Sequence, residues 1–123
     1  MDPRFEAALA QSNYRAIFEN QKEKLKEVLK GRLLHPYNGG FLKIGPELLF
    51  EIKLYLDENK KRATILDLYM NPVDIENVEE FYKEIRSLYT EAINKYKVGL
   101  VKLKKSRQIE TLVSLDLDED TEE

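Results

Sequence analysis

From Val78 to Tyr96, apolar side chains recur at alternating steps of four and three: Val78, Tyr82, Ile85, Tyr89, Ala92 and Tyr96. That period lays one stripe along an α-helix for nearly three heptads. No other feature constrains the chain as much, because such a stripe has to be covered, by the chain itself or by another copy. Phe81, Leu88 and Ile93 widen the stripe, and Leu100 and Leu103 carry it past Gly99, a residue expected to loosen the helix. Asp74 is the expected N-cap, with Glu76, Glu79 and Glu80 in the first turns, where carboxylates favour the positive end of the helix dipole. Lysines gather at the far end, matching the dipole again.

A second helical period covers residues 4–33, through Phe5, Leu9, Tyr14, Ile17, Phe18, Leu25, Val28 and Leu29. Asp2 caps it in this reading, Pro3 takes the first helical position, and Gly31 is the candidate stop. The stretch Gln11–Asn13 is weaker and is a place for a bend.

Between the two helices the pattern changes. "LLHPYNGG" reads as a loop: His35 is held out of helical geometry by Pro36, and Asn38-Gly39-Gly40 accept positive φ. Residues 41–45 read as a short strand, with Gly45-Pro46 as a turn. Over 48–56 the period falls to two, with Leu48, Phe50, Ile52, Leu54 and Leu56 on one side and Leu49, Glu51, Lys53 and Tyr55 on the other, which predicts a half-buried strand. Residues 57–61 are then a hairpin loop with Asn59 left-handed, and 62–70 the returning strand, ended by Asn71-Pro72. The expected fold is α+β: an N-terminal helix, a three-stranded antiparallel sheet, a long C-terminal helix and an acidic disordered tail. In topology alone, this order is similar to the opening of the small acidic secretion-chaperone fold.

At 123 residues the chain is long enough for a core without staples, and one domain is expected over 1–115. It contains no cysteine, which excludes disulfides, thiolate metal sites and cysteine nucleophiles. No apolar run approaches the roughly 20 residues that cross a bilayer, and "MDPRFEAALAQ" lacks the apolar segment of a secretory signal, so a cytoplasmic protein is expected. The net charge of −3 conceals an asymmetry: 20 basic and 17 acidic residues leave 1–115 at +3, while the last eight residues carry −6.

The chemistry is thin. His35 has no histidine partner and reads as a surface or packing residue. The glycines match no phosphate-binding spacing and serve turns. Glu47 and Glu51 stand four apart, and on a strand they read as an exposed polar face rather than a catalytic pair. No enzyme, cofactor or metal is expected. Three features carry interaction readings instead. Ile85, Tyr89, Ala92 and Tyr96 form a candidate association surface, either internal or shared with a second copy. Lys95, Lys97, Lys102, Lys104, Lys105 and Arg107 form a basic run without an acid, a candidate for phosphate contact or simply a helix end whose lysines complement the dipole. In the tail, Leu112, Leu115 and Leu117 alternate with polar and acidic residues, as in a docking peptide, an electrostatic guard over the basic run, or a solvated end.

From Asp67 to Val113, the Asn-Pro turn, the acidic helix start "NVEEF", the centre "YTEAINKY" and the end "KLKKSR" resemble small uncharacterised proteins of T-even-like marine phages. The resemblance implies a phage accessory or structural protein, acting in a host cytoplasm or a virion, and brings no catalytic residue. The expected function is that of an interaction protein, a homo-oligomeric accessory or assembly factor using the C-terminal helix, with nucleic-acid binding as the alternative.

Overall fold

The computed structural model describes residues 2–106. Seven elements follow in order: α1 (Pro3–Arg32), β1 (Leu34–Tyr37), β2 (Gly40–Lys43), α2 (Pro46–Asp57), β3 (Ala63–Leu66), β4 (Pro72–Ile75) and α3 (Val78–Lys105). The fold is α+β, with a long helix as its first and its last described element. The β structure differs from expectation: two two-stranded antiparallel sheets, β1-β2 and β3-β4, stand in place of one three-stranded sheet. The acidic tail, 116–123, lies outside the described residues.

The largest correction is α2, which replaces the strand expected over 48–56. Seven of those nine residues are apolar, so a period of two and a period of 3.6 both find matches. The helix wins on local grounds. Pro46 stands at its start, where a missing N–H costs nothing, Glu47 falls in the first turn, and Ile52 is the only β-branched residue in the element. Its end is a Schellman arrangement: the Asn59 N–H donates to the Leu56 carbonyl, the Lys60 N–H to the Tyr55 carbonyl, and Asn59 takes φ 60°. Asn59 is thus left-handed as expected, but it closes a helix rather than a hairpin.

The loop expected at "LLHPYNGG" is a hairpin. Asn38 and Gly39 both have positive φ and form its two-residue turn, pairing Tyr37 with Gly40 and His35 with Leu42. The strand expected over 62–70 ends at Leu66. Pro72, read as a terminator, instead opens β4, which pairs Val73 with Ile65. Asp74 belongs to this strand, where its carboxylate accepts the Thr64 hydroxyl hydrogen bond at 2.8 Å. The α3 cap is Asn77, whose side-chain oxygen accepts the Glu80 N–H at 3.1 Å. Helix α1 starts as the sequence predicts, with the Asp2 carboxylate accepting the Arg4 N–H at 2.9 Å, and runs unbroken through Gln11–Asn13 and past Gly31.

The chain divides into two compact units. Among the described residues, 2–29 and 94–106 make a helical unit in which α1 and α3 run antiparallel: the Tyr14 hydroxyl donates to the Ser106 carbonyl at 2.7 Å, and Leu25 packs at Gly99. Leu25 and Leu103 form its core, flanked by Tyr14, Ile17, Phe18, Tyr96 and Leu100. A Cβ on Gly99 would sit 2.6 Å from a Leu25 methyl, so this glycine admits the neighbouring helix rather than loosening its own. Residues 30–93 make the hairpin unit, whose core joins Leu42 and Ile44 from the first hairpin, Ile52 from α2, Ile65, Val73 and Ile75 from the second hairpin, and Val78, Phe81 and Ile85 from α3.

Candidate interaction surface

The structure takes the heptad stripe inside the chain. Ile85 is wholly buried and Ala92 buried, while Tyr89 and Tyr96 are half-buried, each packed against its own unit's core. With Ile85 and Ala92 covered, these residues do not form an outward patch. What α3 turns outward is a different stripe, Ile93, Lys97, Val101 and Lys104, at steps of four, four and three. Of the sequence-predicted basic residues, Lys97, Lys104 and Lys105 are exposed and Lys95 and Lys102 half-buried. Arg107, Leu112, Leu115 and Leu117 lie outside the described residues.

A second surface, not anticipated from the sequence, belongs to the hairpin unit. Alternation along β2 buries Gly40 and Leu42 and turns Phe41 and Lys43 out; along β3 and β4 it buries Ile65 and Val73 and turns Leu66 and Pro72 out. The outward face carries the exposed apolar side chains Leu34, Phe41 and Leu66 among Lys43, Thr64 and Asp74, and exposed Leu68 follows Leu66 along the chain. The 67–71 turn adds Tyr69 and Met70, exposed to 68% and 71%. Apolar groups gathered this way mark contact surfaces.

One carboxylate holds this surface in shape. Asp67 is 7% exposed and accepts three backbone hydrogen bonds: from Phe41 at 3.0 Å, Tyr69 at 2.9 Å and Asn71 at 2.8 Å. The Phe41 bond, then that from Asn71, hold its pKa below the ordinary aspartate value. The Leu68 N–H donates to the Phe41 carbonyl at 2.8 Å, and the Asn38 side chain to the Asp74 carbonyl at 2.8 Å, so the two hairpins are joined along β2. This join requires Gly40: a Cβ there would lie 2.5 Å from a Val73 methyl and 3.0 Å from the Asp67 carboxylate. On the far side of β2, Phe41 is opposite Pro36. Because Phe41 gives its N–H to Asp67, the pair is not hydrogen-bonded, and Pro36 brings its missing donor to the open edge. Proline at such a site blunts the edge against strand addition.

Beside the apolar face lies a cleft of about 560 Å³ between β2, Leu66–Leu68 and the start of α2. Leu66, Leu68 and Pro46 give it apolar walls; Glu47 and Glu51 stand one helical turn apart on its rim, with Lys43 as its cation. The Glu51 carboxylate accepts the Tyr55 hydroxyl hydrogen bond at 3.2 Å. A second cleft, near Lys60, Lys61 and Arg62, also contains Glu76 and Glu79; Arg62 and Glu76 are 3.5 Å apart, so its charges are partly balanced. His35 meets Glu84 at 3.4 Å and lies beside the Tyr37 ring. Among the described residues, no three acidic or histidine side chains gather to hold a metal ion, and no helix is long and apolar enough to cross a membrane. Comparison with protein families, curated proteins and solved structures finds no match to this chain.

Proposed function

We propose that this protein is a non-enzymatic interaction protein that associates with itself, serving as an accessory or assembly factor of the kind implied by the resemblance over Asp67–Val113. One observation carries the reading: the apolar outer face of the hairpins, with Leu68, Tyr69 and Met70, is fixed by the Asp67 carboxylate instead of being left as a loose loop. A fixed apolar surface loses little conformational entropy on binding, which favours a contact role. Sedimentation equilibrium tests it. The unaltered chain is expected to associate reversibly, and the double variant Leu66→Asp with Leu68→Asp to remain folded by circular dichroism but run as a monomer. An unaltered chain that stays monomeric at every concentration ends this reading.

A second reading has its own support. Lys97, Lys104 and Lys105 are exposed and make no ion pair among the described residues, as phosphate-contacting lysines would be. Binding to duplex and single-stranded nucleic acid at two salt concentrations decides it: salt-sensitive retention favours this reading, and none at low salt dismisses it.

A further inference from the structure

Building on the self-association proposed above, we infer that the α3 stripe Lys97–Val101–Lys104 of one copy docks in the Glu47/Glu51 cleft of a second copy. The two surfaces complement each other in charge and in apolar content. The charged groups lining the cleft are Lys43, Glu47, Glu51 and Asp67, a net −2, and Asp67 is already committed to backbone donors. Glu47 and Glu51 are like charges at i, i+4, an arrangement that disfavours a helix and that an approaching cation relieves. Glu47 has no ion-pair partner among the described residues. The helix stripe offers what the cleft lacks. Lys97 and Lys104 flank exposed Val101, with Ile93 one turn before, so an apolar side chain meets the Leu66/Leu68 wall while ammonium groups reach the carboxylates. The blunted β1 edge makes strand addition the poorer route, which leaves side-chain docking of a helix.

Charge reversal in trans tests this contact. E47K/E51K makes cleft and helix both basic; K97E/K104E makes both acidic. Measured by sedimentation at low salt, each variant alone is expected to associate about tenfold or more weaker than the unaltered chain, from the summed worth of a few exposed pairs. An equal mixture is expected to recover association, since every remaining contact then joins opposite charges. Recovery also establishes that both variants fold. Association weakened by neither variant overturns the docking contact, as do variants that stay apart on mixing. If K97E/K104E loses retention on nucleic acid while association is unchanged, the stripe serves phosphate and the docking contact is again overturned. A monomeric unaltered chain instead defeats the self-association reading itself.

Discussion

Asp67 and Gly40 act as a pair. The buried carboxylate draws three backbone N–H groups around itself, and the missing side chain at Gly40 lets β2 come close enough for the Phe41 N–H to be one of them. Gly40→Ala is expected to cost about 1–3 kcal/mol in urea unfolding, the range for forcing a methyl into a closed space. Asp67 has a definite pH signature. Its pKa is lowered by folding, so the ionised form contributes stability above the unfolded-chain value of 3.8, and that contribution is lost as the pH falls through the folded value. Asp67→Asn is expected to be less stable at neutral pH and to show a shallower loss of stability below pH 3.8 than the unaltered chain. Parallel acid-unfolding curves for the two proteins would contradict it.

At the scale of elements, α2 is the instructive case. Its buried or half-buried apolar positions are Leu48, Leu49, Ile52, Tyr55 and Leu56, a helical stripe. Phe50 and Leu54, inward on the strand reading, are 66% and 47% exposed. The two readings predict different mutational patterns. On the helix, Ile52→Ala is expected to cost about 2–5 kcal/mol in thermal or urea unfolding. Phe50→Ser and Leu54→Ser are expected to stay within about 0.5 kcal/mol of the unaltered chain, as exposed positions do. Similar large losses at all three would mean an alternating strand.

At the scale of the whole molecule, the described residues form two cores, one around Leu25 and Leu103 and one around Ile52 and Ile85, with no residue common to both. Leu103→Ala and Ile85→Ala are each expected to cost about 2–5 kcal/mol. Because the substituted side chains share no packing partner, the double variant is expected to lose their sum to within about 0.5 kcal/mol. A coupling well beyond that, measured by a double-mutant cycle, would show one cooperative core in place of two. Replacing Ile85 by Glu is expected to abolish cooperative unfolding of the hairpin unit, not merely to dissociate an oligomer, since that side chain is wholly enclosed.

Local chemistry determined the ends of several elements and the turns between them. The Asp2-Pro3 start of α1, the acidic first turn and basic last turn of α3, and the positive φ of Asn38, Gly39 and Asn59 follow from single residues whose preferences no neighbour opposes. The period of the last helix was equally legible, because sidedness along a helix is a property of spacing. Tertiary structure decided what spacing leaves open. Leu48–Leu56 fits both periods; the Pro46 start and the Asn59 end favour the helix locally, and packing of Leu48 and Ile52 in the core decides which of its faces is inside. The Val78–Tyr96 stripe specifies that a face is covered but not by what; Val78, Tyr82, Ile85 and Tyr89 pack with the hairpin core and Tyr96 with Leu25 and Leu103. Leu66 faces outward by alternation with buried Ile65 along β3, whereas Leu68 is outside where the Asp67 carboxylate, gathering N–H groups from Phe41, Tyr69 and Asn71, turns the chain. Those partners come from two separate hairpins, and a contact across that sequence distance exists only once the hairpins lie side by side.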